Sequence, residues 1–201
     1  MGAAEIFLRE EDHTYWVGDR RIPGVTSVID HLTDYSIIPA DKLEIARQKG
    51  MAVHSMADLH AKGILDEDKL PEWMQPVFVQ YQKLVRETGL RVVASEMIVY
   101  HPVYRYAGKL DRYVELAHAA EFAFLDFKRS FFAGKVTGMQ LAAYKAAYIE
   151  QENDRSARKA KRYGVKLNEI GPYRMEPYID EMQFDEFLAC LSHQRIKEKY
   201  A

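Results

Sequence analysis

Asp126 and Lys128 stand two residues apart in the run FAFLDFK over 122–128, and Asp111 lies in a second apolar run, GKLDRYVEL over 108–116. Side chains alternate along a strand, so Asp126 and Lys128 share a face. Leu110, Tyr113 and Leu116 on one side, and Phe122, Phe124, Leu125 and Phe127 on the other, are strand-type residues. With the short polar stretch 117–121 between them, they read as an antiparallel hairpin. Two acids and a lysine directed at one point are costly in a core strand, because buried charges need partners. A divalent cation would be such a partner, since carboxylate oxygens suit Mg²⁺ or Mn²⁺. Lys128 would then orient or activate an attacking water and offset charge building on a phosphate. Taken alone, Asp-x-Lys also fits a solvated edge strand. Asp111 at hairpin spacing leaves both readings open.

The surrounding elements must position these groups. The spacing predicts a helix over 39–62, with Gly50, His54 and Asp58 on one face at four-residue intervals. A glycine there costs about 1 kcal/mol against alanine unless a close backbone approach needs it. A single helical histidine such as His54 also fits a packed or surface role, and His60, six positions on, points elsewhere. A second helix is expected over 67–88, with Pro71 in its first turn and Gly89 ending it. A strand over 91–100 carries Glu96, read as a supporting residue rather than a direct ligand. The segment 136–151 is a strong helix on which Gln140 and Tyr144 share a face. An amide and a phenol so placed suit a DNA phosphate or a metal-bound water network, or form a polar stripe on an amphipathic helix.

Ser130 stands where it would donate to a phosphate or begin a loop, and Phe131 and Phe132 follow it as core residues or base-stacking aromatics. The segment 153–162 gathers Arg155, Arg158, Lys159, Lys161 and Arg162, which fit either a solvated loop or a hold on a phosphate backbone. Two strands over 5–8 and 14–17 form an N-terminal hairpin, Thr26 or Ser27 caps a short helix, strands over 163–167 and 173–178 form a closing hairpin, and a last helix runs over 180–200 with Ile196 among its inward residues.

Lys plus Arg number 28 against 30 acids, so net charge announces no nucleic-acid partner and any such contact must be local. The 201 residues are read as one domain: the hairpin (1–24), a motif-bearing core (25–150), and a basic loop, hairpin and helix (151–201). A single cysteine, Cys190, excludes a disulfide framework, a Cys₄ zinc site and a cysteine-ligated iron–sulfur cluster. No apolar run reaches the roughly 20 residues of a membrane span, and the N-terminus lacks a signal-peptide core. The expected compartment is therefore the cytoplasm.

In chain order Gly50-x-x-x-His54, Gly108-x-x-Asp111, Asp126-x-Lys128 and Gln140-x-x-x-Tyr144 form a set of four. The set resembles the RecB-type branch of the PD-(D/E)XK nuclease superfamily, over roughly residues 22–148. The resemblance implies an α/β (α+β) fold: a mixed central β-sheet flanked by helices, a restriction-endonuclease-like core. It implies that Asp111, Asp126 and Lys128 are catalytic, that His54, Asp111, Asp126 and the Phe127 carbonyl bind one or two Mg²⁺ or Mn²⁺ ions, and that Gln140 and Tyr144 place DNA. The cluster-clamping cysteines and fused helicase of some relatives are missing. What remains resembles a stand-alone, phage-type exonuclease acting on single- or double-stranded DNA ends in recombination, replication or repair. A single-strand annealing or recombination protein is the expected partner, and a phage gene in a bacterial host the expected setting. An endonuclease of the same fold and a non-catalytic DNA-binding module are the alternatives.

Overall fold

The computed structural model describes residues 6–128, 134–167 and 169–200. Strands β1 (Ile6–Arg9), β2 (Thr14–Val17) and β3 (Arg20–Ile22) form an antiparallel meander. The expected N-terminal hairpin thus gains a third strand. Gly18, at φ +56°, makes the tight turn into it, and three residues before Pro23 are too few for a period of two to be visible. A short helix α1 (Val25–Ile29) follows. Its cap is Gly24, not Thr26 or Ser27; the Ser27 hydroxyl instead donates back to the Gly24 carbonyl at 2.8 Å.

Helix α2 (Ala40–Ala61) matches the expected span. Helix α3 (Gln75–Thr88) starts later than expected: Pro71 is extended at ψ 148°, so 67–74 breaks into two 3₁₀ turns. Gly89, left-handed at φ +63°, ends α3, and its N–H donates to the Val85 carbonyl. The main sheet runs β4 (Leu90–His101), β5 (Tyr106–Leu116), β6 (Glu121–Lys128), β7 (Lys161–Lys166) and β8 (Arg174–Pro177) in sequence order. All neighbours are antiparallel except β6 and β7, which are parallel and joined by the crossover helix α4 (Gly134–Glu152). The chain closes with α5 (Gln183–Tyr200), in which Phe187 and Leu191 are buried while Ile196 faces outward at 57% exposure. Among the described residues no helix is long and apolar enough to cross a membrane.

This is the mixed sheet flanked by helices that the motif set implied. One core layer holds Leu110, Tyr113 and Phe124 of the sheet against Leu141, Tyr144 and Tyr148 of α4, with α1 and α5 behind. The opposite layer holds Val114, Ala123, Leu125 and Phe127 against Val53, Met56 and Ala57 of α2 and Val77, Tyr81 and Leu84 of α3. The N-terminal meander covers the start of β5 through Tyr15, Ile22 and Ala107. Strand β6 is buried on both faces from Ala123 to Phe127, as a central strand with a parallel neighbour must be.

Candidate metal centre

The β5–β6 register pairs Arg112 with Leu125, so one step further Asp111 comes opposite Asp126. Asp126 is 1% exposed inside the apolar run of β6, and Lys128 supplies the charge that such burial requires, its Nζ 2.8 Å from Asp126 Oδ2. The ammonium is held from the other side by Gln140 Oε1 at 3.3 Å. The Gln140 amide in turn donates to the Tyr144 hydroxyl at 3.0 Å, and Thr26 of α1 also bonds that hydroxyl. Gln140 and Tyr144 do share a face of α4, and what they meet there is Lys128. A Cβ at Gly108 would collide with the Tyr144 ring, so glycine is what lets α4 press this phenol against β5.

On the other side of Asp111 stand His54 and Glu96. His54 Nδ1 lies 3.2 Å from Asp111 Oδ2 and 4.0 Å from Glu96 Oε1. Among the described residues these three form the group whose ligand atoms all lie within 4.8 Å of one another. Glu96, given a supporting place in the sequence reading, thus faces His54 and Asp111 directly. Two irregularities put it there. Glu96 adopts φ +51°, an uncommon conformation for a non-glycine residue. Leu110 and Tyr113, three apart, also pack in the same core layer, so the alternation of β5 breaks at Asp111 and Arg112.

Two further residues, Lys109 and Arg112, hold the acids, with Asp58 behind Arg112, and none was singled out by motif. Lys109 Nζ is 2.9 Å from Glu96 Oε2. Arg112, 1% exposed, donates to the Asp111 carbonyl at 2.9 Å and lies 3.9 Å from Glu96 and 3.7 Å from Asp58. Asp58, one turn beyond His54, accepts from the Ser95 hydroxyl and pairs with Lys62 at 2.6 Å. Its four-residue spacing from His54 was the available signal. Gly50 has nothing within 4 Å of where a Cβ would stand, so no close approach within the protein requires it. His60 packs edge-on against Phe78 and Tyr81, away from the centre.

The electrostatics are those of buried and half-buried acids and cations set side by side. Burial pushes the Asp126 carboxyl up to about 7, with the neighbouring Asp111 adding to it and Lys128 opposing. Burial also raises Asp111, but His54 and its hydrogen bond, then the bond to Asp126, win and hold it well below the carboxylate range. The two carboxyl groups thus meet each other and are driven apart in titration, Asp126 upward and Asp111 downward. His54 is lowered by burial and raised more by Asp111, reaching about 9. Lys128 loses to burial less than it gains from Asp126 and Asp111, and so keeps its proton. Three buried oxygens, Glu96 Oε1, Asp111 Oδ2 and Asp126 Oδ2, still accept no hydrogen bond of good geometry. Hard oxygens with spare lone pairs beside one imidazole are a donor set that fits a Mg²⁺ or Mn²⁺ ion.

The basic segment does not join this centre. Lys161 pairs with Ala123, at the end of β6 opposite Lys128, and Arg155–Lys159 forms a 3₁₀ turn beyond the far end of α4. Arg162 is tied to the carbonyls of Gly138 (3.3 Å) and Asp180 (2.7 Å), a bracing role between α4 and the approach to α5. Arg158 lines a cleft with His101 and Glu150. The residue at the site end of β7 is Lys166, which pairs with Lys128 in the ladder. Ser130, Phe131 and Phe132 lie outside the described residues. Phe127, between Asp126 and Lys128 on β6, turns its ring to Tyr81 and His54. No family model matches the chain, and no curated protein matches it.

Proposed function

We propose that the protein is a divalent-metal-dependent deoxyribonuclease of the RecB-type PD-(D/E)XK kind, a phosphodiester hydrolase acting on DNA ends. The observation that carries this reading is the set of three buried, under-satisfied carboxylate oxygens on Glu96, Asp111 and Asp126, gathered beside His54 and Lys128. His54, Glu96, Asp111 and Asp126 would hold the ion, with the Phe127 carbonyl as the further donor that the family resemblance implies. A bound Mg²⁺ or Mn²⁺ would supply a water of lowered pKa and a counter-charge for the phosphate.

Lys128, protonated and fixed between Asp126 and Gln140, donates hydrogen bonds. It orients the attacking water and offsets charge developing on the phosphate oxygens. Gln140 and Tyr144 hold that ammonium in place and present the remaining polar edge of α4 to the phosphate backbone. Lys109 and Arg112 pair with Glu96 and aim its carboxyl group. A recombination or single-strand annealing protein is the partner that suits a nuclease of this kind.

The test is digestion of end-labelled linear DNA and covalently closed circles, with Mg²⁺ or with EDTA. Linear DNA should shorten from its ends, circles should survive, and EDTA should stop both. Rapid cutting of closed circles would favour an endonuclease. Metal-independent binding with no hydrolysis of any DNA would leave a non-catalytic DNA-binding module.

A further inference from the structure

Arg20 and Arg21 on β3, Arg105 in the β4–β5 turn and Arg195 on α5 line one cleft of about 480 Å³, with Glu198 as its one acid. The whole chain carries a formal charge of −2, so this concentration of guanidinium groups is not a consequence of composition. All four arginines are exposed, and Arg20, Arg21 and Arg105 have no acidic partner at ion-pair distance among the described residues. Glu198 is already engaged as acceptor from Gln194 at 2.8 Å. Arg195 is fixed from behind, its Nη2 donating to the carbonyls of Tyr104 (2.5 Å) and Arg105 (3.2 Å). That tie holds the β4–β5 turn against α5, with Arg105 itself in the left-handed region at φ +49°. Like charges collected from three elements repel unless an anion lies among them, and guanidinium forks match phosphate oxygens two at a time.

We propose that this cleft binds the DNA backbone at a distance from the metal centre; the identity of the polyanion rests on the nuclease reading above. Arg105 immediately precedes β5, and Asp111 is six residues further along it. At about 3.3 Å per residue the separation is about 20 Å, or about six nucleotides of a B-form strand. The cleft therefore acts as a second grip, engaged only by DNA longer than this.

The test compares wild type with Arg20→Gln/Arg105→Asn, since asparagine tolerates the left-handed backbone. Anisotropy in Ca²⁺ follows binding of duplexes of about 5 and about 12 base pairs across a salt series, lengths chosen to fall on either side of the span. Hydrolysis of bis(p-nitrophenyl) phosphate in Mn²⁺ reports the metal centre alone. Wild type should bind the longer duplex more tightly. The double variant should lose that advantage and flatten the slope of log K against log salt by about two, while still hydrolysing the small ester as wild type does. An unchanged slope in the variant, or a wild type that does not bind DNA, overturns the proposal. A wild type that shows the length effect but hydrolyses neither DNA nor ester keeps the cleft and sinks the nuclease reading; one that hydrolyses both while the variant's slope is unchanged sinks the cleft alone.

Discussion

Lys128 and Asp126 are neighbours on one strand face but are expected to fail differently when removed. Lys128 touches no would-be ligand position of the metal except through Asp126, and its contribution grows with charge on the phosphate. Lys128→Ala should lower turnover by about two to four orders of magnitude, the scale of one positioned electrostatic or acid–base group. Metal affinity should persist, because the carboxylates remain and a nearby positive charge is gone. Isothermal titration with Mn²⁺ and single-turnover DNA hydrolysis separate the two effects; near-normal turnover in the variant would remove Lys128 from the chemistry. Asp126→Ala should lose metal and activity together. At this scale the sequence was most informative where spacing alone sets direction, as for Asp126 with Lys128 and Gln140 with Tyr144. It was silent on Arg112, and it did not bring Glu96 next to His54 and Asp111. Arg112 and Glu96 both lie where backbone alternation is broken, and a φ of +51° at a glutamate leaves no trace in a period of two.

Gly108 is one of the points at which helix α4 packs on strand β5. Gly108→Ala would drive a methyl group into the Tyr144 ring, and the ring is fully committed through its hydroxyl to Gln140. Overpacking of this kind costs about 1–3 kcal/mol. The loss should be measured by urea denaturation and should largely vanish in a Tyr144→Ala background, giving a coupling between the two positions of more than about 0.5 kcal/mol. Additive effects would mean that α4 relaxes away from β5 without resistance. The same helix separates the basic segment from the centre. Arg155 follows α4 closely in the chain, but the helix from Gln140 to its end at Glu152 alone rises about 18 Å, and Arg155 lies beyond that end. The arginines that do share a cleft, Arg20, Arg21, Arg105 and Arg195, are scattered over most of the chain and form no run to notice.

At the scale of the molecule, the order of strands and helices was readable because each long element carries its own period and its own stop signal, Gly89 after α3 being an example. The third strand and the two 3₁₀ turns were not, being too short to show one. The strand order has a consequence in time. β4 pairs with β5 and β5 with β6 across short connections, whereas β7 reaches β6 only after the whole of α4 has been laid across the sheet. Closing short connections costs less entropy, so the meander should form ahead of the parallel pairing. Glu96, Asp111 and Asp126 all belong to the meander, while Gln140 waits in the crossover. For an interval during folding the acids face one another with their α4 support missing, and that is when a doubly charged ion has most to offer. Mg²⁺ should accordingly speed refolding in stopped-flow experiments relative to EDTA, rather than act only by slowing unfolding. A metal effect confined to the unfolding rate would show that the acidic centre is assembled last, and the ion would then be a late guest instead of a template on which the sheet is built.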